Sequence, residues 1–403
     1  MKRILLILTL ALVALAGCKK DPAPEAVKVS QIKLVGMPTT DFTVGRSVTI
    51  SAVITPDDAT DKSVTFTSSN PEVATVEYTK SENNYSLALL KAVGPGKATI
   101  TATANDGSGV KDEAEVTVID GEGESTYQSI TLTTKKAVGE EFQFSIEIDG
   151  LGDLSADERM AILQAAVVDM NITDVAGHSD FYDVKGTLKK SNLKIEIAGS
   201  IGRFTCDKMG LTSLDVSHCP ELYNIYCPGN DLTELDISKN TKLVRLVLGT
   251  NILSSLDVSN ATELQYLDCR YNSIETLDVS KNLNLERLDC YDNKLTSLDV
   301  SKNTKLDRVD CSSNQLESLL ICSSVAYGYE ILTCYKNKLD EAAMTALIEA
   351  LPTAQQSDAR VLLYNNSDSN ELNKLTDAHI AAAKDKGYTV RIKESDASGW
   401  ETK

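Results

Sequence analysis

Histidine is nearly missing from this chain: there are three in 403 residues, His178, His218 and His379. None stands at a nucleophile or metal-ligand spacing, and His218 beside Cys219 makes no catalytic pair, because neighbours on a turn point apart. No G-x-S-x-G, P-loop or H-E-x-x-H pattern occurs, so the usual hydrolytic, nucleotide and zinc chemistries lack their working residues. The chain is therefore not expected to be an enzyme, and no cofactor or metal is expected. Positive charge is also short, with 40 Lys and Arg against 58 Asp and Glu for a net charge of −18. Such a surface repels phosphate backbones, which excludes nucleic acid as a partner. The apolar run Ile4 to Ala16 is too short to span a bilayer.

What the chain has in abundance is repetition. Leu-Asp-Val/Ile-Ser begins at Leu214, Leu235, Leu256, Leu277 and Leu298, each 21 residues after the last, with a degraded copy at Leu319. Between the tetrads runs L-x-x-L-x-C-x-x-N-x-L, clearest as Leu285, Leu288, Cys290, Asn293, Leu295. Apolar spacings of two and three suit short strands joined by tight bends and leave no room for a helical period. A fixed period of this length predicts a solenoid whose turns bury their apolar faces against one another. The pattern resembles the leucine-rich repeats, specifically the nested 21-residue bacterial class with two alternating half-repeats. That resemblance implies stacked parallel strands about 4.8 Å apart.

Two columns follow from the period. Asn230, Asn251, Asn272, Asn293, Asn314 and Asn337 fall where bends strip backbone groups of ladder partners, so each side-chain amide is expected to donate and accept across adjacent turns. Six of the nine cysteines, Cys206, Cys227, Cys269, Cys290, Cys311 and Cys334, share one inward slot. Parallel side chains about 4.8 Å apart do not meet disulfide geometry, and a line of sulfurs is no tetrahedral metal site. Buried free thiols are expected, with Cys219 and Cys322 as the two out of register.

Residues 1–17 form a basic start followed by an apolar run, a secretory signal, and Leu15-Ala16-Gly17-Cys18 is similar to a bacterial lipobox. The resemblance implies cleavage before Cys18 and its acylation, which anchors the chain to a membrane. Lys19 in place of Asp favours the outer membrane, at the cell surface, although the sequence leaves the leaflet open. Residues 18–27 read as a tether. Within 28–119, alternating runs separated by Pro56-Asp57-Asp58, Asn70-Pro71, Gly94-Pro95-Gly96 and Asp106-Gly107 predict a β-sandwich. The stretches Val64 to Val76 and Gly94 to Ala102 resemble bacterial immunoglobulin-like domains of group 2, with Phe66 where that family commonly has Trp. The family implies a spacer or adhesion module. Residues 120–200 are expected to form a linker, beginning with Asp120 to Ser125, and an N-terminal cap. Within that cap a helix is expected over Asp153 to Val168, with Ser155 and Glu158 as a capping box. The repeats occupy 201–338, and a helix–strand–helix–strand cap covers 339–395. The expected fold class is thus mainly β, an immunoglobulin-like sandwich followed by a leucine-rich-repeat β-solenoid with a small α/β C-terminal cap.

With Leu and Cys pointing inward, the residues between and before them point out. One outward row is Arg203, Asn224, Arg245, Tyr266, Arg287, Arg308; its neighbour is Thr205, Tyr226, Val247, Asp268, Asp289, Asp310. Arg270, Tyr271, Tyr291 and Tyr335 extend this surface. Arg and Tyr favour contact surfaces, so Arg245, Tyr266, Asp268, Arg270, Tyr271, Arg287, Asp289, Tyr291, Arg308, Asp310 and Tyr335 are the candidate ligand-binding residues. The competing reading is that Arg287/Asp289 and Arg308/Asp310 neutralise each other on a solvated face. The opposite row, Asp215, Asp236, Asp257, Asp278 and Asp299, is expected to bond turn amides or Lys239, Lys281 and Lys302. The expected function is a lipid-anchored cell-envelope binding or adhesion protein that presents its repeat surface to a macromolecular ligand, protein or glycan; the alternative is a surface protein of glycan capture, with tyrosines as stacking platforms.

Overall fold

The computed structural model describes residues 26–38, 42–82, 84–120, 127–149, 154–167, 169–178, 181–325, 330–365, 368, 371–393 and 401–402. The leader, Cys18, most of the tether and nearly all of the Asp120 to Ser125 linker lie outside the described residues.

The first module is a two-sheet sandwich. One sheet orders Gln31–Val35, Ser47–Thr55, Tyr85–Ala92 and Ala74–Glu82, and the other Phe42–Thr43, Lys111–Ile119, Gly96–Ala104 and Val64–Ser68. Strict alternation sends Val48, Ile50, Ala52 and Ile54 to a core shared with Leu90, Ile100, Val116 and Phe66. Phe66 is buried there, where the sequence had placed a core aromatic.

Ser47–Thr55 is buried on its other face as well. Val53, with Val35, Tyr85 and Leu87, joins the core of the following module. Helix α1, Ala156–Ala166, closes over this second face. It begins at Ser155 and Glu158, whose side chains complete the expected capping box, and Glu158 also pairs with Lys33 of the sandwich. The sandwich and the repeats are therefore joined by a shared apolar core.

Antiparallel strands cap the coil's first turn. Glu141–Ile148 pairs with Ile201–Thr205 in front, and Tyr127–Thr134 with Leu211–Asp215 behind, each matching one ladder of the solenoid. The sequence did not disclose the hairpin Met170–His178/Phe181–Leu188, which extends the front sheet. Polar Asn171, Thr173 and Asp174 and a register shift after Ile172 break its alternation.

From Ile201 the front strands run parallel at one register, Arg203 beside Asn224, Arg245, Tyr266, Arg287 and Arg308. The turns then lengthen, since Arg308 pairs with Ile331, Ile331 with Arg360 and Arg360 with Thr389. In the last turns helices α2, Glu341–Ala350, and α3, Asp377–Asp385, take the back of the coil where strands ran before. The repeat leucines are fully buried, Leu264, Leu267, Leu285 and Leu288 among them, each stabilising by about 2 kcal/mol.

The asparagine column behaves as its spacing implies. Asn293 Oδ1 accepts the Ile274 N–H at 3.0 Å, and its Nδ2 donates to the carbonyls of Cys269 and Cys290 at 2.9 and 3.1 Å. Asn337 does the same for Leu316, Cys311 and Cys334, and Asn373, which the period did not reveal, continues the ladder against Leu339, Cys334 and Leu363. The residue before each of the six periodic asparagines, though not before Asn373, turns left-handed, as at Thr250 (φ 60), Tyr271 (φ 51), Asp292 (φ 55) and Ser313 (φ 51). That bend aims the Thr250, Tyr271 and Asp292 N–H groups at the next turn's carbonyls.

Candidate functional site: the front face of the repeats

Cys206, Cys227, Cys269, Cys290, Cys311 and Cys334 line the inside as free, buried thiols, and Cys219 and Cys322 are free and buried too. Burial pushes the Cys219 and Cys227 thiols up to about 12 and raises the other thiols of the inner column as well, which keeps these seven in the unreactive thiol form at neutral pH. Cys219 bonds the Ser129 carbonyl and Cys322 lies against the Ser324 hydroxyl. Among the described residues no group of three or more His, Cys, Asp or Glu could hold a metal ion.

The outward row is brought together as a stack. Tyr266 lies between two cations, with the Arg245 guanidinium 4.3 Å and the Arg287 guanidinium 5.1 Å from its ring centre. Arg245 and Arg287 are its register neighbours on either side. The Tyr266 hydroxyl donates to Asp289 Oδ2 at 3.0 Å, and Arg287 donates to the same oxygen from Nε at 2.9 Å. Burial first, and the Asp289 charge next, push the Tyr266 phenol up to about 12. On the same turn as Tyr266, Arg270 reaches Asp268 Oδ2 at 3.3 Å and donates to the Tyr291 hydroxyl of the next turn at 3.1 Å. Tyr291 meets Tyr271 edge-on at 5.1 Å. Tyr271, 49% exposed, is the accessible end of this cluster.

Two sequence expectations are corrected. Asp268 and Asp289 point away from the coil's core yet are only 1% and 6% exposed, because the side chains of Tyr266, Arg270 and Arg287 lean over them. They hold the cations above them. Arg308 does not neutralise Asp310; it pairs with Glu330, donating from Nε at 2.8 Å. Asp310 instead accepts from the Ser312 amide and hydroxyl at 3.1 and 2.6 Å. Burial holds Asp268 and Asp310 above the usual carboxylate range, opposed by Arg270 in the first and by Ser312 in the second. Tyr335 is half-buried and bonded to Ser312.

The back row contrasts. Asp215, Asp236, Asp257, Asp278 and Asp299 each accept the N–H of the serine two residues on, at 2.8 to 2.9 Å. The same serines hold Asp215, Asp236, Asp257 and Asp278 below the usual carboxylate range. The carboxylates thus cap their own turns, as the sequence reading allowed.

A feature the sequence reading missed lies beside the stack. Tyr223, Val244, Gln265 and Glu286, one residue before each front strand, form a column at the same period, and with Asn224, Arg245 and Tyr266 they border an open cleft of about 400 Å³. Their 21-residue spacing was the available signal.

Comparison with known proteins is partial. A stretch of 77 residues is 38% identical to an uncharacterized protein of Clostridium acetobutylicum, spanning 19% of this chain and 17% of that protein. The functional domain of InlJ from Listeria monocytogenes is similar at 22% identity and a TM-score of 0.26, over 45% of this chain and 59% of that one. The leucine-rich repeat domain of APL1B is similar at 19% identity and a TM-score of 0.32, over 41% and 46%. Residues 33–118 match the bacterial Ig-like domain (group 2). The chain thus carries an immunoglobulin-like domain of that group, followed by a β-solenoid with turns of 21 residues.

Proposed function

We propose that this chain is a lipid-anchored cell-envelope binding protein of adhesion type, which presents the front face of its repeats to a macromolecular ligand, and that its role is binding rather than catalysis. The observation that carries the reading is the Arg245–Tyr266–Arg287 stack with the exposed Tyr271 beside it. The Arg287 guanidinium and the Tyr266 phenol are held in place by the buried Asp289, so a partner meets them without a further loss of side-chain entropy. The lipobox ending at Cys18 supports anchorage, and the buried thiols and sparse histidines give no support to catalysis.

Arg287 and Tyr266 are poor probes of this role, because both hold Asp289. Arg245 and Tyr271 are better placed. The test is capture of the purified full chain on arrays of host and bacterial surface ligands: Arg245→Ala with Tyr271→Ala is expected to abolish capture while leaving the melting temperature unchanged. Capture that survives the double variant removes the front face from the reading. Anchorage is tested separately by metabolic palmitate labelling, which Cys18→Ala is expected to eliminate.

A further inference from the structure

The arginines of the front face are not equivalent. Arg287 is paired with Asp289, Arg308 with Glu330, Arg270 with Asp268, and Arg203 lies 3.6 Å from Glu147. Arg245 is exposed and stacks on Tyr266 but, among the described residues, pairs with no carboxylate. Three other polar side chains of the same cleft share this condition. Asn224 Oδ1 is shielded from solvent without a hydrogen-bond partner, and the side chains of Gln265 and Glu286 have none among the described residues. These four border one opening of about 400 Å³, together with Tyr223, Val244, Tyr266 and the Asp289-bound Arg287.

We propose that this cleft binds an acidic saccharide, with the carboxylate of a uronate-type sugar on the Arg245 guanidinium and the hydroxyls of the same and the adjoining ring on Asn224, Gln265 and Glu286. This deepens the binding role proposed for the front face and rests on it. A planar carboxylate is the natural partner of a guanidinium fork left open at its edge. A sugar hydroxyl donates and accepts at once, which suits a site that sets the amides of Asn224 and Gln265 beside the acceptor Glu286. The cleft also has a polarity. Glu286 lies two turns beyond Val244, about 10 Å along the stack at the usual strand spacing. Arg245 lies on the second of the four turns that line the cleft and Glu286 on the fourth, beside an Arg287 already paired with Asp289, so the acid group sits over Arg245 and neutral hydroxyls toward Glu286. An acidic peptide fits less well, because the cleft offers only Val244 and tyrosine ring edges as apolar anchors and no free strand edge for a peptide backbone.

Isothermal titration of the purified full chain tests this with unsulfated oligouronates, their carboxyl-reduced counterparts and glutamate peptides of matched charge. Oligouronates are expected to bind, and both carboxyl reduction and Arg245→Gln are expected to weaken binding about tenfold or more, the scale of a lost charge-assisted pair. Because Arg245 has no ion-pair partner among the described residues and only its stacking on Tyr266 is lost, Arg245→Gln should stay folded, with a melting temperature lower by at most about a few degrees. Absence of oligouronate binding, equal affinity for carboxyl-reduced ligand, indifference to Arg245→Gln, or preference for glutamate peptides each overturns the assignment. If array capture still requires the front face while oligouronates fail, the saccharide assignment falls and the adhesion role stands.

Discussion

The coil carries aspartate at the same 21-residue period on its front and on its back, with opposite consequences. In front, Asp268 and Asp310 are covered by neighbouring side chains, and burial lifts their carboxyls. Behind, Asp236, Asp257 and Asp278 stay in water, and the serine amides two residues on pull theirs down. The asparagines differ in parallel. The front ladder asparagines such as Asn293 are satisfied at both ends, whereas Asn240, Asn282 and Asn303 behind donate to two carbonyls each and leave their oxygens without partners. A repeated residue type acquires its role from what overhangs it, and the front of this coil is the better organised side.

The largest break in that contrast is expected from the asparagines. Asn293→Ala should destabilise by about 3 kcal/mol, and Asn282→Ala by only about 1, because the second also removes an orphaned oxygen. Ala261 already stands in the back column. Urea titration of both variants checks the ratio, and equal losses would erase the distinction. Arg287→Met comes next at about 2 kcal/mol at neutral pH, since it strands a buried Asp289 with Tyr266 as its remaining donor. Thr250→Gly should stabilise by up to about 1 kcal/mol, because a β-branched residue in the left-handed bend is strained and glycine is not.

The smallest effects are the most discriminating. Asp310 titrates higher folded than unfolded, so its protonated form favours the fold. Stability is lost as pH rises past the unfolded carboxylate range toward the folded value. Asp310→Asn should therefore raise the melting temperature at neutral pH, with the gain vanishing below about pH 3. Asp278 titrates lower folded than unfolded, so its contribution is present above the unfolded range and disappears as pH falls through the folded value. Asp278→Asn should lower the melting temperature slightly at neutral pH and have no effect in strong acid. Changes of the same sign would mean that the two columns share one environment.

The columns were legible from spacing alone, because a fixed period makes equivalent residues neighbours whatever the details of the turn. Asn293 and Cys290 were placed that way, as was the capping box of Ser155 and Glu158. Lateral relations were not legible. The burial of Asp268 depends on how far the side chains of Tyr266 and Arg270 lean between turns, and the pairing of Arg308 with Glu330 crosses a turn of irregular length. The double-sided burial of Ser47–Thr55 required a partner, α1, that lies about 100 residues away in sequence. The Gln265 and Glu286 column was open to sequence reasoning and was passed over because those residues precede the strands.

The change of backing in the last turns has a geometric outcome. Strands can pile at about 4.8 Å on both sides of a coil, but helices such as α2 and α3 need about 8 to 10 Å between axes. Replacing strands by helices on one side forces that side to fan open like the outer rim of an arch. A further 21-residue turn would find no flat ledge on which to settle. The C-terminal segment thus works as a keystone, setting the length of the stack by wedging it.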